Sequence, residues 1–171
     1  MIYQEWVLKT KWFSAITPVN PVTATGTLTF TGTVTDGQIV IIGTEIYEFD
    51  DDSVVTGGHI AVDVSGGLTA PYAVTALVSA ITNNSKIVTA VDGALDTVVV
   101  TYVSGGVVGN VSTTTTCVNG SFTTGTLTGG INGTPCPEKN TLVYATPYYY
   151  ICTQEGNESD VAWERFTPAT Y

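Results

Sequence analysis

The run Thr25-Gly26-Thr27-Leu28-Thr29-Phe30-Thr31 sets threonines against Gly26, Leu28 and Phe30 at a strict period of two. Only an extended strand places Leu28 and Phe30 on one face and the hydroxyls on the other, since the helical period of 3.6 would scatter them. Asp36-Gly37 then marks a turn into Gln38-Ile39-Val40-Ile41-Ile42, and Gly43-Thr44 leads into Glu45-Ile46-Tyr47-Glu48-Phe49. The pattern predicts a β-meander with a hairpin at each turn.

Beyond the acidic stretch Asp50-Asp51-Asp52 the period changes. Ala73, Val74, Leu77, Val78 and Ile81 fall at helical spacing, with Pro71 in a first-turn position and Asn83-Asn84 at the end. One helix over about residues 71–83 is expected. Strand signals resume at Ile87-Val88-Thr89-Ala90-Val91, turn at Asp92-Gly93, and continue in Thr97-Val98-Val99-Val100-Thr101-Tyr102-Val103. A last strand is expected at about residues 111–117, which makes three strands, one helix and three strands. A lone amphipathic helix must bury its stripe on a sheet, so the domain is expected to be sandwich-like.

Composition agrees with a mainly β, α+β reading. The 171 residues are 43% hydrophobic and only 12% charged, so hydroxyls rather than charges carry solubility. The net charge of −10, from 15 acids against 5 bases, speaks against nucleic acid and against an anionic membrane surface as partners. No apolar stretch approaches the length of a membrane span. The first residues lack the basic and apolar regions of a signal peptide, so synthesis in the cytoplasm is expected. Cys117, Cys136 and Cys152 form no C-x-x-C pair. In a reducing compartment they are expected to be buried free thiols, with a Cys117–Cys136 bridge as the alternative.

Three parts emerge: an extended N-terminal arm over residues 1–21, a β-rich main domain over residues 22–130, and a C-terminal module over residues 131–171. The arm ends at the breaker Pro18-Val19-Asn20-Pro21. The module contains Leu142-Val143-Tyr144, then Tyr148-Tyr149-Tyr150-Ile151-Cys152-Thr153, and finally Trp163-Glu164-Arg165-Phe166. That is a three-stranded meander too small to be stable alone. Aromatic residues gather outside the main domain. Trp6, Trp12 and Phe13 in the arm, with Tyr148, Tyr149, Tyr150 and Trp163 in the module, are the candidate interface residues. Either arm and module pack on each other, or these rings meet another subunit or a sugar.

The sequence also carries a resemblance. Gly26 to Gly32 reads G-T-x-T-F-T-G, and Asp36 to Phe49 reads D-G-x-x-V-x-I-G-x-x-x-Y-x-F. After the helix come Gly105 to Asn110, then Gly129-Gly130-Ile131-Asn132-Gly133-Thr134, Y-x-Y-I-C-T and W-x-R. Over residues 24–166 this resembles a recurrent domain and C-terminal module of bacteriophage virion proteins, departing from them at Cys136-Pro137-Glu138-Lys139, where a glycine turn is usual. The resemblance implies a non-enzymatic virion protein, most simply a capsid decoration or cement protein that binds the head shell through its arm and aromatic surfaces and acts as a homo-oligomer, a trimer first. The major capsid protein or other virion proteins would be its partners. The alternative is a head- or tail-fibre or adaptor component that grips a host-surface glycan.

The remaining chemistry is thin, and no catalytic, cofactor or metal residue is assigned. His59, the only histidine, sits between glycines and Ile60 with no G-x-S-x-G elsewhere, and reads as a loop residue. Glu48, Asp50, Asp51 and Asp52 lack the alternation of a calcium loop and read as a solvated turn. Glu155, Glu158 and Asp160 share one short loop, and Gly105, Gly106 and Gly109 match no phosphate motif. The N-x-S/T sequons at Asn83, Asn110, Asn119, Asn132 and Asn157 follow from composition.

Overall fold

The structure is a computed structural model that describes residues 17–136, 139–145, 148–156 and 158–167. The arm candidates Trp6, Trp12 and Phe13 therefore lie outside the described residues. The elements are β1 (Thr23–Phe30), β2 (Ile39–Ile42), β3 (Glu45–Asp50), β4 (Ile60–Asp63), α1 (Ala70–Asn84), β5 (Val88–Asp92), β6 (Thr97–Gly105), β7 (Thr113–Thr115), β8 (Gly120–Phe122), β9 (Leu142–Ala145), β10 (Tyr148–Gln154) and β11 (Ala162–Phe166). The protein is mainly β with one helix, and ends in a three-stranded antiparallel meander.

Leu28 and Phe30 do point into the core, yet β1 does not pair with the strand that follows it. It pairs antiparallel with β6 and β8, so one sheet has the order β5-β6-β1-β8, while β4-β3-β2-β7 form the other. The expected first hairpin is thus corrected. Alternation reveals which side of a strand is buried, not which neighbour shares its edge, and the long strand β6 offers β1 six paired positions. The second hairpin is as expected: β2 and β3 pair in register around Gly43-Thr44, with Gly43 at φ 59°. That positive φ at the first turn position is the one a two-residue II′ hairpin requires.

Two strands escape the sequence pattern, so the order is four strands, one helix and four strands rather than three, one and three. β4 and β8 have only four and three residues. β7 spans three residues, shorter than the stretch expected over 111–117. β4 runs parallel to β3. A parallel neighbour ordinarily needs a crossover of a dozen or more residues, and here residues 51–59 make the return alone. Asp50 makes this possible. Its Oδ1 accepts the N–H groups of Asp52, Ser53 and Val54 at 3.2, 2.7 and 3.1 Å, folding the chain back on itself.

The two sheets share one core, including Leu28, Phe30, Val98 and Val100 from one and Val40, Ile42, Tyr47, Phe49 and Val62 from the other. Phe30 and Phe49 meet edge to face across it, with ring centroids 5.8 Å apart. At one side, consecutive β7 and β8 join the sheets; at the other, α1 packs on β4 and β5 and closes the gap. Ala73, Val74, Leu77 and Ile81 are the buried stripe, each large apolar side chain contributing about 1.5–3 kcal/mol of transfer free energy. Leu127, from the segment leading to the meander, is fully buried against Gly26. A Cβ at Gly26 would lie 2.6 Å from Leu127 Cδ2, so glycine is what lets this segment cross β1.

The meander has its own small core of Cys136, Val143, Tyr150, Cys152, Val161 and Trp163. Within it Cys136 and Cys152 form a disulfide, while Cys117 is a buried free thiol in the sandwich. This corrects the expectation of free thiols at Cys136 and Cys152, and of Cys117–Cys136 as the alternative pair. The strand pairing brings Cys152 to the segment at residue 136, whereas Cys117 stays in the other core. Residues 19 and 20 tie this meander to the sandwich. Thr134 N–H donates to the Val19 carbonyl (2.9 Å), Trp163 N–H donates to Asn20 Oδ1 (2.7 Å), and Asn20 Nδ2 donates to the Trp163 carbonyl (3.2 Å).

Candidate functional site

Strand periodicity divides the aromatic residues of the meander between two faces. In β10, Tyr148, Tyr150 and Cys152 share one side, and Tyr149, Ile151 and Thr153 the other. Register with β9 and β11 decides which side is inner: Tyr150 pairs with Val143 and Cys152 with Trp163, all of them buried. Trp163 is further fixed by its Nε1–H, which donates to the Thr134 carbonyl at 2.7 Å. Tyr148 lies at the rim of this inner face, where the Arg165 guanidinium sits 4.4 Å from its ring centroid. Tyr150 and Trp163, candidate interface residues by sequence, are thus core members of the module.

The outer face is apolar. Tyr149 stands directly opposite Tyr144 on one side and Phe166 on the other, making a row of three rings, one from each strand. The centroids of Tyr144 and Tyr149 are 5.0 Å apart, and those of Tyr149 and Phe166 are 5.7 Å apart with planes inclined by 15°. Beside this row runs a second one, Leu142–Ile151–Glu164, with Glu164 its only charge. Tyr144 and Phe166 are 42% and 45% exposed, so among the described residues the row is an uncovered apolar strip on a sheet face. Of its members only Tyr149 was among the candidate interface residues. Phe166 was readable only as the end of a strand, because its partner is fixed by pairing.

The other sequence candidates turn out to be structural. His59 Nδ1 pairs with Glu48 Oε2, and Glu48 also faces the Thr56 N–H at 3.3 Å. These contacts, with the His59 N–H donating to the Thr56 carbonyl at 3.0 Å, close the short return between β3 and β4. The hydrogen bond from His59 holds the Glu48 carboxyl below its ordinary range, against the opposing effect of burial. Of the residues read as a solvated turn, Glu48 and Asp50 are in fact buried, because loop N–H groups and His59 bond to their carboxylates, and Asp36, Asp50 and Asp52 bring carboxylate oxygens within 4.8 Å of one another. Their oxygens are used by the loop, with Asp36 Oδ1 accepting from Asp51 N–H at 3.1 Å and Asp52 Oδ1 from Val54 N–H at 2.9 Å.

Glu158 and Glu155 also serve the fold, since Asn132 Nδ2 donates to Glu158 Oε2 and the Lys139 N–H points at Glu155 Oε2. Elsewhere, burial pushes the Glu45 carboxyl up, but hydrogen bonds from the Lys86 N–H, the Ser85 and Tyr47 hydroxyls and the Ile87 N–H outweigh it and bring it below its usual range. Burial and then the bond to Glu45 raise the Tyr47 hydroxyl far above the ordinary tyrosine value. This network pins β3 to the start of β5. Burial likewise raises the Cys117 thiol, keeping it protonated and unreactive. No helix among the described residues is long and apolar enough to cross a membrane. Comparison with protein-family models, with curated proteins and with solved structures returned no match.

Proposed function

We propose that this chain is a non-enzymatic structural protein of a bacteriophage virion, a capsid decoration or cement protein that acts as a symmetric homo-oligomer, a trimer first. The observation that carries the reading is the exposed row Tyr144–Tyr149–Phe166, held on a disulfide-stapled sheet at the point where residues 19 and 20 join it. An uncovered apolar strip on a rigid frame suits attachment to another protein surface. The glycine and aromatic motifs of residues 24–166, similar to those of virion proteins, support the same reading.

A fibre-type or adaptor protein gripping a glycan is the other reading of those motifs. Sugar recognition by stacking needs open ring faces, whereas Tyr149 and Phe166 already stack on each other. Contact with protein is therefore favoured. The test replaces Tyr149 and Phe166 by serine in the full chain and measures binding to undecorated heads, with hydrogen exchange of the meander as the check that it stays folded. Affinity is expected to fall by a hundredfold or more; unchanged binding by a folded variant would overturn the row as the attachment surface.

A further inference from the structure

The outer face of the meander and the sixteen residues before Thr17 have complementary needs. The face presents Leu142, Tyr144, Tyr149, Ile151 and Phe166 with Glu164 as its single charge. Residues 1–16 include Tyr3, Trp6, Val7, Leu8, Trp12 and Phe13, together with Lys9 and Lys11 against Glu5. They carry two of the five bases and one of the fifteen acids, a net charge of +1 where the rest of the chain carries −11. This segment brings aromatic area for the row and a cation for Glu164.

The chain also delivers the segment to the right place. Asn20 is bonded to both backbone groups of Trp163, on the free edge of β11. Phe166 lies three residues further along the same strand, roughly 10 Å away. Sixteen residues span up to about 50 Å when extended, so the whole face lies within reach. The link is short, and a short link gives an intramolecular contact an effective concentration in the millimolar range.

We propose that in the free protein residues 1–16 of the same molecule cover the outer face of the meander, with their aromatic side chains on the Tyr144–Tyr149–Phe166 row and Lys9 or Lys11 toward Glu164. This concerns the protein before assembly and stands whether or not the chain belongs to a virion.

The full-length protein, with photoreactive p-benzoylphenylalanine in place of Trp12, is irradiated at low concentration and its crosslinks are mapped by mass spectrometry. Crosslinks within one chain to residues 142–151 or 164–166 are expected. Crosslinks confined to the sandwich, to the exposed valines at 107 and 108, or formed only between chains would overturn the proposal. A second measurement follows tryptic cleavage after Lys9 and Lys11. The double substitution Tyr149→Ser, Phe166→Ser should speed that cleavage tenfold or more, because proteolysis follows the population of the uncovered state. Equal rates in wild type and variant, with the meander's hydrogen exchange unchanged, would also overturn it. The crosslinking uses the native face, so it decides the matter should the variant fail to fold.

Discussion

Reducing the Cys136–Cys152 bond is expected to loosen the meander and leave the sandwich as it is. The two cysteines are 16 residues apart in sequence, and closing a loop of that size lowers the chain entropy of the open state by about 3 kcal/mol at 25 °C. Among the described residues the module's core comprises six buried side chains, two of which are these cysteines. Losing about 3 kcal/mol raises the open population of the module by roughly a hundredfold. The sandwich core contains only the free thiol Cys117, so a reductant changes nothing covalent there. Hydrogen exchange followed by mass spectrometry, with and without reductant, separates the two regions. Amides of β9, β10 and β11 should exchange much faster after reduction while those of β1 and β6 keep their protection. Equal loosening of both regions, or none in the meander, would refute the reasoning that the disulfide staples a separate small core.

Three further outcomes follow from the packing and the hydrogen bonds. Leu127→Ala should destabilise by about 2–5 kcal/mol and Gly26→Ala by about 1–3, but the double variant by at least about 1 less than their sum, since the new methyl enters the space the leucine leaves; urea titration measures the coupling, and strict additivity would contradict it. Glu48 has a folded pKa below its unfolded value of about 4.3, so its contribution is complete above that pH and is lost as pH falls through the folded pKa. The stability gap between wild type and Glu48→Gln should therefore be open at pH 7 and narrow as pH falls below about 4, and a gap independent of pH would count against the Glu48–His59 pair. Asn20→Ala removes both bonds to the Trp163 backbone and should cost about 1 kcal/mol, seen as faster exchange of the Trp163 amide.

The elements legible in the sequence were those with a local strand or helix pattern, among them the short β2 and β5 and the three strands of the meander. β1, β3, β6 and α1 each show several turns of a period, and each forms where that period lies. What the pattern withheld was partnership. Leu28 and Phe30 need a buried face, and nothing in the residues themselves says that β6 rather than β2 supplies the adjoining edge. β4 shows a single buried residue, Val62, and β8 is the turn-like Gly120-Ser121-Phe122, so neither has a period to read. The same limit applies to the candidate site. That consecutive tyrosines face both ways was readable; that Tyr149 rather than Tyr150 faces outward was not, because the choice depends on pairing with Val143 and Trp163. The disulfide was hidden for the same reason, since three widely spaced cysteines leave the pairing to the tertiary fold. His59 and the aspartates before it looked like meagre chemistry, and the short parallel return between β3 and β4 explains their presence.

Imaging of intact particles with this protein labelled decides whether it decorates the head as proposed. If it does, many copies will occupy the symmetry sites of the capsid lattice, each with the Tyr144–Tyr149–Phe166 face turned toward a protein neighbour. A few copies at the tail or at fibre tips, or none in the particle, would contradict the proposal.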